Sequence, residues 1–193
     1  MQTLTTTPER SLDRWLQTYY FLRTGVSIVW IALAVLVGKQ NPAVGAVLLV
    51  AYPAWDALAN YLDARTSGGL GVNPSQKFNF VVSVVIALAV CWGLSVGMPT
   101  VISVFGAWAI FSGLLQLATG VRRWKTASGQ WPMILSGAQS ALAGGFMFHQ
   151  AHSGMPLDVT TVAPYAGFGA FYFLVSAIWL TVKNSRQRTA LVG

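Results

Sequence analysis

Charge is what this chain has least of. Only 9% of its 193 residues are Asp, Glu, Lys or Arg, against 54% hydrophobic, and the mean hydropathy is +0.57. A water-exposed surface needs roughly 25% charged residues, so a soluble globular domain is excluded. Acids are the scarcest group, with five in the whole chain, namely Glu9, Asp13, Asp56, Asp63 and Asp158. There is a single cysteine, Cys91, which rules out an intramolecular disulfide and any cysteine-rich metal site. The sequence also lacks a phosphate-binding glycine loop, a G-x-S-x-G elbow, an H-E-x-x-H helix and paired cysteines. These absences argue against an enzyme and predict no cofactor. No small-residue cleavage motif follows the first apolar block, so no cleavable leader is expected.

What is present is apolar sequence in six blocks, at 19–38, 42–62, 78–97, 99–120, 131–149 and 163–182. About 20 apolar residues span roughly 30 Å of hydrocarbon as a helix. The expected fold class is therefore all-α, a polytopic membrane protein of six transmembrane helices. Its natural partner is the lipid bilayer.

The net charge of +7 does not point to nucleic acid, because the basic residues are scattered over short loops and not gathered in one patch. Arg10, Arg14 and Arg23 precede or open the first block, and Arg65 and Lys77 flank the loop after the second. Arg122, Arg123 and Lys125 lie after the fourth block, and Lys183, Arg186 and Arg188 follow the sixth. Lys39 stands alone on the other side. This bias predicts cytoplasmic termini and cytoplasmic loops 63–77 and 121–130 in an inner membrane. Residues 1–18 are expected to form a cytoplasmic segment with an interfacial amphipathic helix, opened by Thr7-Pro8-Glu9 and faced by Leu12, Trp15, Leu16 and Tyr19. Residues 183–193 read as a basic cytoplasmic tail.

The apolar sequence repeats. "IALAV" occurs at 31–35 and 86–90, with a weaker "SALAG" at 140–144, and prolines 42, 99 and 156 follow in the same order. Trp55, Trp108 and Phe171 hold comparable places after them. The spacing predicts three tandem helical hairpins, related by an axis along the membrane normal. Loop 64–77, rich in Gly, Ser and Asn, is expected to be mobile or locally folded.

Against this background "YPAWDALANYLDAR" is unusual. Asp56, Asn60 and Asp63 fall at i, i+4 and i+7, one stripe of a helix that otherwise spans the membrane. The corresponding positions of the other two hairpins hold Ala109 and Tyr172, Gly113 and Ser176, and Gln116 and Trp179. The stripe is therefore a property of the first hairpin only. An aspartate at mid-span carries a penalty of about 3 kcal/mol on insertion scales, and such residues often mark a proton or ion path. Asp56, Asn60, Asp63 and Gln116 are the candidates for proton handling. The alternative is an Asp56 that locks helices together by hydrogen bonds to Gln116, Ser112 or Gln139. Lys77 and Asn79 are placed to complete a polar cluster at the cytoplasmic end.

"MFHQAHSGM" (147–155) brings His149 and His152 to the other end, where imidazoles that titrate near pH 6.5 can sense pH. Two histidines without a nearby carboxylate or thiolate make a poor metal site, and no metal is expected. Ser136, Ser140 and Gly144 at i, i+4 and i+8 predict a face for close helix packing.

The repeated hairpins together with "YPAWDALANYLDARTSGGL", "FGAWAIFSGLLQLATGVRRW" and "MILSGAQSALAGG" resemble the HdeD-like family of small bacterial inner-membrane proteins over residues 19–182. The resemblance implies a six-helix, non-enzymatic membrane protein with a role in envelope or acid-stress tolerance. Two other readings stay open: a small transporter or proton-coupled channel using Asp56 and Asn60 for an ion or small molecule, and a scaffold whose inner loops bind a cytoplasmic partner. Self-association into a homo-oligomer is left undecided.

Overall fold

The computed structural model describes the backbone of residues 8–123 and 131–189, with side chains over 14–118, at 121 and over 134–185. Most of loop 121–130, and the side chains of Arg10, Arg122, Arg123, Lys125, Arg186 and Arg188, lie outside the described residues.

Six long helices follow one another: α1 (Pro8–Leu33), α2 (Pro42–Thr66), α3 (Pro74–Val96), α4 (Met98–Arg123), α5 (Trp131–His152) and α6 (Ala163–Thr189). A π-helical turn, Ala34–Gly38, ends α1, and a 3-10 turn, Val159–Val162, leads into α6. Helix α1 runs without interruption, so the boundary expected between residues 18 and 19 is not a break in the backbone. Among the described residues five helical segments are long and apolar enough to cross a membrane: Arg14–Gly38, Pro42–Thr66, Pro74–Val96, Met98–Ala118 and Val159–Ser185. Helix α5 is not one of them. Ser136, Gln139, Ser140 and the glycines at 137, 144 and 145 dilute its apolar content.

The helix starts follow local chemistry. Asn41 caps α2, its side chain accepting from the Ala43 and Val44 N–H groups, with Pro42 in the first turn where no donor is needed. Between α3 and α4 stands Gly97 alone, at φ 144°, a left-handed conformation that favours glycine. Loop 67–73 is locally folded: Asn73 Nδ2 donates to the Ser67 and Gly69 carbonyls at 2.7 and 2.8 Å, and Gly68 and Gly69 take positive φ. Asp158 caps the 3-10 turn through the Thr160 and Thr161 positions, which drives Val159 and Val162 into the core.

Helix pairing departs from the hairpin expectation. Partners within each expected hairpin (α1 with α2, α5 with α6 and, less so, α3 with α4) touch sparsely. The close seams join one hairpin to the next: α2 with α3, α4 with α5, and α6 back onto α1. Tightest is α4 on α5, where glycine takes the backbones nearly into contact. A Cβ on Gly113 would lie 2.5 Å from the Gly137 carbonyl oxygen, and one on Gly144 2.5 Å from that of Gly106. The core beside this seam is aromatic, with Trp30, Tyr52, Trp108 and Tyr165 in a chain of ring contacts and Phe105 fully buried against Trp108.

Candidate functional site: a charge pair inside the helix bundle

Helix α2 presents Asp56, Asn60 and Asp63 on one side, and three other helices converge on that side. From α1, Arg23 reaches across and its Nη2 pairs with Asp56 Oδ1. From α3, the fully buried Ser83 donates its hydroxyl to Asp56 Oδ2 at 2.6 Å. Asn60 Nδ2 donates to the same oxygen at 3.1 Å and to the Asp56 carbonyl at 2.8 Å. From α6, the Phe173 ring lies under the guanidinium, 4.2 Å from Cζ to ring centroid, a cation–π contact that helps a cation away from water. Tyr19, one turn before Arg23, accepts from Arg23 Nη1 at 3.0 Å.

The pair is largely shielded, with side-chain exposures of 13% for Arg23 and 18% for Asp56. A lone charge in such a place is very unfavourable, whereas opposite charges with hydrogen bonds to their remaining atoms are tolerated. Asp56 meets that condition, since both carboxylate oxygens accept. Arg23 meets it less fully, since its buried Nε has no hydrogen-bond partner among the described residues, and nor has Trp55 Nε1.

Two turns further along α2 the buried Asp63 has a different shell. Trp15 Nε1 of α1 donates to Oδ1 at 3.0 Å and Gln76 Nε2 of α3 to Oδ2 at 3.1 Å. Its donors are neutral. Asp56 is held by a charge and Asp63 by dipoles.

The other sequence candidates lie elsewhere. Gln116 donates to Ser136 across the α4–α5 seam, and Gln139 accepts from the Tyr172 hydroxyl of α6 at 2.8 Å. The proposed locking partners of Asp56 are thus replaced by Arg23, Ser83 and Asn60. Lys77 and Asn79 are exposed, and it is Gln76 and Ser83 that face α2. Ser140 donates to the Ala109 carbonyl at 3.0 Å, and Gly144 packs against Gly106. His149 and His152 occupy the last turn of α5, both exposed, and His152 Nδ1 stands 2.8 Å from the Phe148 carbonyl. Among the described residues no group of three or more His, Cys, Asp and Glu could hold a metal ion.

Sequence reasoning missed Arg23, which it grouped with the basic residues of the cytoplasmic face. Depth was the available signal. Arg23 is four residues into the first apolar block and Asp56 six residues from the end of the second, so the two sit within about 3 Å of the same level.

The family described as a short repeat of unknown function, DUF308, matches residues 81–149. That family is typical of HdeD-like membrane proteins. The match covers most of α3, all of α4 and nearly all of α5, about a third of the chain. It takes in Ser83 but neither Arg23 nor Asp56. No curated protein and no solved structure matches the chain.

Proposed function

We propose that the chain is a non-enzymatic, multi-pass protein of the bacterial inner membrane, with both termini cytoplasmic, that contributes to envelope or acid-stress tolerance in the manner of the HdeD-like proteins. The observation that carries the reading is the Arg23–Asp56 pair, which binds α1 to α2 and is completed by Ser83 of α3 and Phe173 of α6. These polar groups are satisfied mainly by one another, which favours holding and sensing charge over turning over a substrate. Loss of the Asp56 charge would leave Arg23 a shielded cation without its counter-charge, so the integrity of this junction depends on the carboxylate.

Growth of a deletion strain at low and neutral pH, complemented with wild type, Asp56→Asn or Arg23→Gln, tests the reading. Wild type should restore growth in acid, and the variants should fail there while being present in the membrane at normal amount. Equal growth of the deletion strain and its parent in acid would end the stress-tolerance reading.

A second reading, a proton- or ion-coupled transporter, is favoured by the unbroken stripe Asp56, Asn60 and Asp63 from mid-bundle to the end that carries Arg14, Arg65 and Lys77. Proton flux into proteoliposomes that vanishes in Asp56→Asn would support it. Flux indifferent to Asp56 would dismiss it.

A further inference from the structure

The seams of the bundle are unequal in a way that divides it. Helices α2, α3, α4 and α5 form a continuous body, closely packed at α2–α3 and α4–α5 and joined between α3 and α4 by the short turn at Gly97, with more contact there than α1 makes with α2 or α6 with α5. Helices α1 and α6 pack closely on each other, with Tyr20 stacked on Phe173 and Gln17 Nε2 donating to Thr181 Oγ1 at 2.7 Å. Yet each meets its body neighbour sparsely, α1 against α2 and α6 against α5. Long polar side chains span those two sparse seams: Arg23–Asp56 and Trp15–Asp63 on one side, Tyr172–Gln139 on the other.

At the far end the same two helices are anchored. The π-helical turn after α1 and the 3-10 turn before α6 lie against each other and against α2. A Cβ on Gly38 would stand only 3.0 Å from Val159 and 3.1 Å from Leu48, and Val159 and Val162 are buried there. This close packing continues as far as Trp30, which donates to the Leu48 carbonyl at 2.7 Å and packs on Tyr52, and as far as Tyr165, which packs on Trp108. Beyond them the seams are made by single polar contacts, which have two discrete states, made and broken.

We infer that α1 and α6 form one rigid arm, hinged on the body at the Gly38–Val159 end and latched from mid-bundle toward the opposite end by Arg23–Asp56 and Trp15–Asp63, and that release of the latch tilts the arm outward. The lever is long. Arg14 lies 24 residues before Gly38, about 36 Å along the helix, so a tilt of only about 10° displaces that end by roughly 6 Å. Opening in this direction uncovers the Asp56, Asn60 and Asp63 stripe to the basic end of the bundle. The arm thus controls access to the polar side of α2.

Distances between spin labels on the full-length protein in nanodiscs test the inference, in a Cys91→Ser background. Labels at Val182→Cys of α6 and Val121→Cys of α4 report arm against body, and labels at Phe78→Cys of α3 and Val121→Cys report the body alone. All of these positions are exposed. Arg23→Gln, Asp56→Asn and the double variant, which leaves no unpaired buried charge and so guards against simple misfolding, are each compared with the parent. The expected result is an arm-to-body distribution that broadens and shifts by several ångströms in all three, with the body distance unmoved. An unmoved arm in the double variant would overturn the latch, whatever the single variants do. Movement of both distances together would overturn the rigid arm, since the whole bundle would then have loosened.

Discussion

Breaking the Arg23–Asp56 pair should destabilise the bundle by an amount its geometry sets. Asp56 receives donors only: the Arg23 guanidinium, the Ser83 hydroxyl at 2.6 Å and Asn60 Nδ2 at 3.1 Å. Asparagine at this position is therefore not a neutral copy, because its NH2 group would face donors where a carboxylate oxygen had accepted. Ser83 can turn its hydroxyl to accept, but Arg23 and Asn60 Nδ2 cannot. Removing one member of a buried pair destabilises by about 3–5 kcal/mol, and the partial exposure of both groups places this pair at the lower end, near 3 kcal/mol for either Arg23→Gln or Asp56→Asn. The double variant removes both charges at once and should lose roughly the same 3 kcal/mol instead of twice that, giving a coupling of about 3 kcal/mol. Unfolding in mixed micelles titrated with a denaturing detergent, followed by circular dichroism, measures all four states. Strict additivity of the single variants, or losses below about 0.5 kcal/mol, would mean that water already screens the pair, and the reasoning would be wrong.

Three other outcomes follow from individual contacts. Gly113→Ala places a Cβ on two backbone atoms of α5, Gly137 O and Ala141 N, each 2.5 Å away, and should lower stability by at least about 2 kcal/mol, whereas Gly145→Ala meets nothing within 4 Å and should be neutral or better in the same unfolding assay. Trp15→Phe keeps an aromatic ring but removes the indole N–H that donates to Asp63 at 3.0 Å, and should cost about 1.5 kcal/mol, with Gln76→Leu similar and the two changes non-additive because they share one carboxylate. In the Cys91→Ser background a cysteine at Thr126 should resist an impermeant thiol reagent added to intact cells and react after permeabilisation. Reaction from outside would reverse the proposed topology.

How far the sequence led depends on what kind of information each feature carried. Composition and block length speak directly to the solvent around a helix, and they placed the long apolar helices. The stripe on α2 could be read because Asp56, Asn60 and Asp63 are local to one helix, where 3.6 residues per turn fix their relation. Arg23 was different. Its partner is 33 residues away on another helix, and helical periodicity says nothing about the rotation of one helix against the next. A basic residue near the start of an apolar block also fits the topology rule without needing a partner. The packing face of α5 shows the same limit on a smaller scale. Ser136, Ser140 and Gly144 carried the small-residue signal, but the backbone approach runs through Gly137, Ala141 and Gly144, one residue round the helix, and needs Gly106 and Gly113 opposite.

The unequal seams also explain why the polar stripe belongs to one hairpin alone. At the α4–α5 seam adjacent hairpins meet through glycine backbones that leave no room for a carboxylate, whereas at α2–α3 Ser83 and Gln76 supply donors to Asp56 and Asp63. Between α1 and α2 and between α5 and α6 the contact is sparse, and long side chains bridge the gap. In the second hairpin the turn at Gly97 is so short that Gly93 and Val101 nearly touch, and a charge pair has no space at that end. The third is bridged by Gln139 and Tyr172, neutral groups that need no compensating charge. In the first hairpin the bridge is an arginine, and a serine of α3 and an asparagine of α2 satisfy the acid it pairs with. The site is placed by the architecture of the repeat and made particular by four side chains: Arg23, Asp56, Asn60 and Ser83.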